Sequence, residues 1–150
     1  MTFLFSGSTR KGGSFTKTIL NQGEEEMTRT FKELEIEGKK AHVLFDTGSI
    51  RSYVRREFAS EVKRKTIPFR VGLGGRSYQI EEACLLNCAI EGLGFDIEAH
   101  PVEELGYDDR GRRIDAIIGA LATEKWVLIP NPKTGEIDLT ALRKREFTEY

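Results

Sequence analysis

The chain has 150 residues, of which 39% are hydrophobic and 31% charged, and its formal net charge is -1. This length and apolar content are sufficient for one globular domain with a hydrophobic core. The balance of 23 basic against 24 acidic residues predicts no nucleic-acid partner, and no apolar run is long enough for a membrane span, which predicts no membrane partner.

The chain divides into three parts by composition. Residues 1–26 contain a polar stretch rich in Gly and Ser and an acidic run, which predicts a flexible N-terminal segment. Within it, residues 1–5 form too short an apolar stretch for a secretory signal, so we expect a cytoplasmic protein. Residues 27–142 carry the apolar runs of a folded domain, and residues 143–150 are predicted to be a charged C-terminal tail.

The domain begins with a predicted β-hairpin. Residues 31–36 place apolar side chains among charged ones, and residues 41–45 form an almost continuous apolar run. The second strand is therefore predicted to be buried on both faces. Next, Phe58 and Val62 stand four residues apart among helix-forming residues, which predicts a short amphipathic helix over residues 55–65.

Short strands separated by turns that contain Gly or Pro dominate the rest of the domain. They are predicted at residues 67–71, 78–90, 95–99, 114–118, 126–129 and 136–139. Residues 72–75 form a glycine-rich turn, residues 103–113 an exposed loop, and residues 120–125 one or two helical turns. This order predicts an all-β fold, a barrel or a sandwich with small helices.

The two cysteines do not form a metal-site pattern. Cys84 and Cys88 are four residues apart with no second pair, and the two histidines, His42 and His100, are remote in sequence. A structural zinc site normally needs four ligands. Two buried free thiols are therefore favoured over metal binding or redox chemistry, and both would lie on the same face of a strand.

The most informative segment is the turn that follows the second predicted strand. The apolar run at residues 41–45 leads directly to Asp46, which Thr47, Gly48 and Ser49 follow. Burying a carboxylate without partners costs free energy. The hydroxyls and backbone N–H groups of this turn are suitable partners, so the segment predicts a held, functional carboxylate.

A second carboxylate beside Asp46 would give this turn hydrolytic chemistry. Two carboxylates about 3 Å apart share one proton, because they cannot easily ionise together. The ionised acid then activates water, and the protonated acid donates to the carbonyl of the bond that is cut. Asp-Thr-Gly occurs once in the chain, so this chemistry predicts a symmetric homodimer in which two copies of Asp46 meet. It needs neither a metal nor another cofactor.

Two motifs and their order resemble the retropepsin-like aspartic proteases, in particular the cellular and bacterial single-domain members. Residues 46–49 follow an apolar strand, and Ile117, Ile118 and Gly119 precede a short helix, with a glycine-rich turn between the two motifs. The resemblance covers roughly residues 28–140. It implies a closed barrel of short strands with one or two short helices, one lobe per chain, and an aspartic endopeptidase activity.

The resemblance also implies a role for each residue of the two motifs. Asp46 would be the catalytic acid, Thr47 would hydrogen-bond across the dimer axis, and Gly48 would bring its backbone N–H close to the carboxylate. The Ser49 hydroxyl would lie near the outer carboxylate oxygen. Gly119 would pack beneath the turn.

The glycine-rich turn would be the tip of a mobile flap, formed by Gly72, Leu73, Gly74 and Gly75. Its closure would exclude water and hold the substrate backbone. The resemblance implies an extended peptide or protein substrate, bound through main-chain hydrogen bonds. The dimer interface could involve the N-terminal residues or the last predicted hairpin.

The same residues also allow plainer interpretations. Asp46 could form an Asx-turn or cap a helix, and residues 72–75 could be an ordinary hairpin turn. Asp115 is favoured as a surface or turn-binding acid over a second catalytic acid. Residues 108–109 are expected to be solvated, and Trp126 to serve packing. The alternative function is a catalytically silent peptide-binding or dimerisation module of the same fold.

Overall fold

Nine β-strands and two α-helices make up residues 29–149, the part of the chain that the computed structural model describes. The segment at residues 1–26 lies outside these residues. The strands are β1 (Arg29–Ile36), β2 (Lys39–Asp46), β3 (Tyr53–Arg55), β4 (Lys63–Leu73), β5 (Arg76–Ile90), β6 (Leu93–Val102), β7 (Ala116–Ile118), β8 (Ile129–Asn131) and β9 (Glu136–Asp138). The helices are α1 (Ala120–Trp126) and α2 (Thr140–Lys144).

Seven of the strands form one sheet that closes on itself. Their order is β1-β2-β7-β3-β6-β5-β4, and β1 also pairs with β5. Six strands therefore form a ring, and β4 remains outside it as the edge strand next to β5. The predicted all-β class is confirmed. Neither helix in residues 29–149 combines the length and the apolar content needed to cross a membrane.

Strand β7 lies between two strands that are consecutive in the chain. It pairs parallel with β2 and antiparallel with β3. Val43 is opposite Ala116 and Phe45 opposite Ile118, which fixes the register of β2 and β7. As predicted, β2 is buried on both faces from residue 41 to residue 45, because β1 and β7 flank it and the core covers it. This arrangement places the C-terminal end of β2 next to the C-terminal end of β7.

Two clusters of buried side chains fill the fold. The first core cluster occupies the ring and includes Leu34, Ile36, Val43, Phe45, Leu86, Ile90 and Ile118. Cys84 and Cys88 belong to it as buried free thiols, as the sequence predicted. The second core cluster lies beneath the β4–β5 hairpin and consists of Leu44, Tyr53, Ile80, Val102, Leu105, Ile114 and Ile117.

The predicted helix at residues 55–65 is wrong. The chain there forms one 3-10 turn, Arg56–Phe58, and enters β4 at Lys63. Phe58 is buried as the helical pattern required, but Val62 is 64% exposed. Pairing with β5 uses the backbone of Lys63–Lys65, and this tertiary interaction outweighs the helix propensity of the side chains.

The C-terminal part differs from the prediction in its boundaries. Trp126, predicted to begin a strand, is the last residue of α1, and the final hairpin is shorter than expected, since β8 begins at Ile129. Helix α2 continues past residue 142 to Lys144. Phe147 packs edge-on against Trp126, with ring centroids 5.7 Å apart.

Candidate active site

Asp46 is the last residue of β2 and begins an exposed turn. Its side chain is 21% exposed, while the preceding residues of the strand are buried. The Gly48 N–H donates to Oδ1 at 3.0 Å, and the Ser49 N–H donates to the Asp46 carbonyl at 3.0 Å. On the other side, the Arg29 Nε lies 3.9 Å from Oδ2. The turn therefore holds the carboxylate but leaves it accessible from outside.

The environment of Asp46 favours its neutral form. Burial against the end of the sheet raises the pKa of this carboxyl, while the Arg29 guanidinium and the Gly48 N–H lower the pKa in part. Arg29 is opposite Asp46 in the β1–β2 register and its side chain is 50% exposed. A partly accessible carboxyl with a raised pKa is able to donate as well as accept a proton.

Gly119 lies directly beneath the turn. Its N–H donates to the Ser52 Oγ at 3.0 Å. A Cβ placed on this glycine would overlap the Arg51 carbonyl oxygen and would lie 2.6 Å from the Ser49 carbonyl oxygen. Only glycine therefore fits at this position, and the contact expected between Gly119 and the turn is present.

The first residues of α1 extend this support. The Ala120 N–H donates to the Ser49 carbonyl at 2.7 Å, and the Leu121 N–H donates to the Ile50 carbonyl at 3.1 Å. These donors have no partner inside the helix, because the first turn of a helix leaves its N–H groups free. The turn after Asp46 is thus fixed by backbone bonds to a segment 71 residues further along the chain.

Thr47 and Ser49, two residues of the turn, have different surroundings. Thr47 is exposed on the surface, where a second molecule could reach it. The Ser49 hydroxyl, expected near the outer oxygen of Asp46, donates instead to the Arg51 carbonyl at 2.9 Å. Ser49 therefore stabilises the backbone of the turn itself.

The glycine-rich turn is the tip of the β4–β5 hairpin. Leu73 is opposite Arg76, which leaves a two-residue loop of Gly74 and Gly75 with φ values of +57° and +80°. Positive φ at both positions is the type I′ geometry of tight hairpins. A Cβ on Gly74 would lie 3.5 Å from the Leu105 carbonyl oxygen, so the tip rests beside the loop at residues 103–113.

The β4 strand of this hairpin also contacts the segment that follows Asp46. The Arg51 guanidinium carbon lies 4.5 Å from the centre of the Phe69 ring. Phe69 in turn packs edge-on against His100, with ring centroids 5.4 Å apart. The hairpin therefore contacts both the segment that follows Asp46 and the loop at residues 103–113.

A buried polar network that the sequence did not predict holds this loop. Asp108, expected to be solvated, has a side chain only 9% exposed and accepts from the His42 ring at 2.7 Å. It also accepts the N–H groups of Arg110 and Arg112, each at 2.9 Å. His42 stacks on Phe31 at 5.1 Å. The signal available in the sequence was a histidine at an otherwise apolar strand position.

Asp115 serves the structure rather than the candidate site. Its Oδ2 accepts the His42 backbone N–H at 2.8 Å, and its Oδ1 accepts from Arg55 at 2.8 Å. The Arg55 side chain is 9% exposed and is further paired with Glu57. Trp126, expected to serve packing, contacts Phe95 and donates its ring N–H to the Asp96 carbonyl.

Within residues 29–149, no group of three or more His, Cys, Asp or Glu side chains is arranged to hold a metal ion. Comparison of the chain with protein-family models, with curated proteins and with solved structures found no match.

Proposed function

We propose that the protein is an aspartic endopeptidase of the retropepsin type, active as a homodimer. The observation that supports this most is the geometry of Asp46: its carboxyl accepts the Gly48 N–H at the mouth of an exposed turn, where burial against the sheet raises its pKa. The turn itself is fixed by Gly119 and the start of α1. Such rigid support is what a catalytic acid requires.

The proposed reaction needs two copies of Asp46. A single carboxyl can give or take a proton, but hydrolysis of an amide needs both steps at one carbonyl. With a second Asp46 about 3 Å away, the pair would share one proton. Water between the two carboxyls would then attack the carbonyl, and the resulting tetrahedral diol would collapse as a proton passes to the leaving amine.

The fold supports a dimer of this kind. The ring of strands forms one lobe, and the turn from Asp46 to Ile50 projects from one end of it with Thr47, Gly48 and Ile50 exposed. Two-fold symmetry would bring the same turn of a second chain against it. We therefore propose that each chain is one retropepsin-like barrel lobe and that the β4–β5 hairpin acts as the flap. The cytoplasmic location stays a prediction.

The decisive experiment compares Asp46→Asn with Asp109→Asn. Asp109 is an exposed carboxylate in the loop at residues 103–113, so its variant controls for the loss of one negative charge. Cleavage of a peptide library is measured by mass spectrometry. We expect Asp46→Asn to lose cleavage and Asp109→Asn to retain it. Undiminished cleavage by Asp46→Asn would exclude the mechanism.

The dimer is tested by dilution and by mixing. Specific activity should vanish below the dimer dissociation constant, because a lone chain carries half of the acid pair. An equal mixture of wild type and inactive Asp46→Asn should have about a quarter of the activity of the same total amount of wild type if the chains exchange at random. Concentration-independent activity of a proven monomer would contradict the proposal.

The competing function is a peptide-binding or dimerisation module without catalysis. The ion pair between Arg29 and Asp46 is the observation that favours it, because a cation 3.9 Å from Oδ2 stabilises the ionised carboxylate in the single chain. A transition-state mimic of peptide hydrolysis separates the two functions. Binding of the mimic without turnover of any library peptide would favour the module.

A further inference from the structure

The flap hairpin has a charge distribution unlike that of the whole chain. Residues 63–80 contain five cationic residues and no acidic one, whereas the chain carries a formal net charge of -1. The five are Lys63, Arg64, Lys65, Arg70 and Arg76. Within the part of the chain that the structure describes, only Arg64 of these five forms an ion pair, with Glu98. Glu81 and Glu82 follow in β5, with Glu82 opposite Lys65 at the base of the hairpin, so the excess of positive charge lies toward the tip, at Arg70 and Arg76.

The strand register assigns these cations to two faces of the hairpin. Residues directly opposite each other in an antiparallel pair project to the same face. Arg76 is opposite Leu73, and Leu73 packs against the second core cluster, so Arg76 belongs to the inner face of the tip. Arg70 is opposite Gln79 and contacts it at 3.3 Å on the outer face.

A further cation lies at the other end of this inner face. Arg51 is exposed, follows the Asp46 turn and places its guanidinium against Phe69 of β4. In residues 29–149 it forms no ion pair with a carboxylate. Arg51 beside Phe69 and Arg76 at the tip thus lie on the inner side of the same hairpin.

Protection of the edge strand accounts for only part of this pattern. Lysine on an edge strand discourages pairing with other chains, which explains Lys63 and Lys65. It does not explain Arg76, which lies on the inner face of the tip. Nor does it explain Arg51, which belongs to another segment.

We propose that the substrate is an acidic extended peptide segment whose carboxylate side chains bind Arg51 and Arg76. This inference rests on the proposed function and names the substrate class of the same site. An extended segment projects alternate side chains to one side, so acidic residues on either side of the cleaved bond can reach both guanidinium groups. Arginine binds a carboxylate through two parallel hydrogen bonds, which makes the contact selective.

The first test measures kcat/KM for two decapeptides of the same length. One alternates Glu with Val, and its twin has Gln in place of Glu. We expect the Glu peptide to be preferred, and Arg51→Gln and Arg76→Gln each to lower that preference about tenfold. Arg70→Gln is the matched control, because it removes the same charge from the outer face of the same hairpin, and its preference should be unchanged.

Charge exchange gives a signature that general destabilisation would not produce. Arg76→Glu should no longer cleave the Glu peptide, and it should gain cleavage of a third decapeptide with Lys in place of Glu. Thermal unfolding confirms that each variant is folded. Equal losses in Arg70→Gln and Arg76→Gln, or no preference in the wild type, would overturn the proposal.

Binding to Asp46→Asn separates this inference from the proposed function. The same decapeptides carry fluorescein, and their affinity is measured by anisotropy at two salt concentrations. One outcome would retain the inference and overturn the endopeptidase. In it, the Glu peptide binds preferentially, Arg51→Gln and Arg76→Gln abolish that preference, and the wild type cleaves no peptide. Equal affinity for the Glu and Gln peptides would overturn the inference even if the wild type cleaves both.

Discussion

Gly119 leaves no space for a side chain beneath Arg51. A Cβ at residue 119 would overlap the Arg51 carbonyl oxygen and approach the Ser49 carbonyl oxygen to 2.6 Å. Both acceptors belong to the backbone, so they cannot rotate away as a flexible side chain would. The close approach follows from the position of β7 between β2 and β3, which brings the Asp46 turn over the end of β7.

This contact predicts that Gly119→Ala destabilises the protein. Overpacking against a fixed backbone costs about 1–3 kcal/mol, and the cost is measured as a change in the free energy of unfolding by urea. Gly94→Ala is the control, because a Cβ there would have its nearest neighbours at 3.8 Å. We expect the control to change stability by less than about 0.5 kcal/mol. Equal effects of the two substitutions would contradict the packing described.

Asp46→Asn should increase stability at neutral pH. Burial raises the pKa of this carboxyl in the folded protein above the ordinary value of 3.8, so the folded state binds more protons than the unfolded state between these two pKa values. Stability of the wild type therefore falls as pH rises through that window, and the amide variant escapes this loss. Unfolding by urea from pH 3 to pH 8 measures the difference, which should shrink toward acid. The expectation is contradicted if the stability of Asp46→Asn relative to the wild type is lower at pH 7 than at pH 3.

Arg29→Ala should raise the pKa of Asp46 further. The Arg29 guanidinium opposes the effect of burial, and its removal leaves burial opposed mainly by the Gly48 N–H. A carboxyl-carbon NMR titration measures the pKa directly in the single chain. Lys40→Ala is the control, since Lys40 pairs with Glu33 at the opposite end of the hairpin. A pKa of Asp46 that stays the same or falls in Arg29→Ala would contradict the expectation.

Asp115→Ala should be strongly destabilising. It leaves the buried Arg55 guanidinium with Glu57 alone and removes the acceptor of the His42 backbone N–H. Breaking a buried ion pair from one side costs about 3–5 kcal/mol, measured by urea unfolding. Glu136→Ala, which breaks the more exposed pair with Lys32, should cost about 1 kcal/mol or less. Similar costs for the two substitutions would show that the Asp115 network contributes little.

The parts of the fold that follow from local pattern were predictable. The hairpin of β1 and β2, the long strand β5 and the helix after Gly119 have clear apolar periodicity or turn residues. The position of Asp46 at the end of a buried strand followed from the same pattern. These features depend on residues close together in the sequence.

Apart from the contact of Gly119 with the turn, which the resemblance implied, the features that depend on distant partners were not predictable. The segment at residues 55–65 pairs with β5 instead of forming the expected helix. Asp108 is buried because it forms a hydrogen bond with the ring of His42, which is 66 residues away in the sequence. Without the register of β4 and β5, nothing in the sequence assigns Arg76 to the inner face of the hairpin. Nor does the turn reveal that the Ser49 hydroxyl would donate to its own backbone.

The insertion of β7 between β2 and β3 also has a consequence for biosynthesis. On the ribosome, Asp46 emerges long before Gly119 and the first residues of α1, whose backbone contacts fix its turn. A nascent chain that ends before residue 119 lacks these contacts. The acid can therefore reach its final geometry only after most of the domain has been translated, so the proposed hydrolysis cannot begin until synthesis of the domain is almost finished.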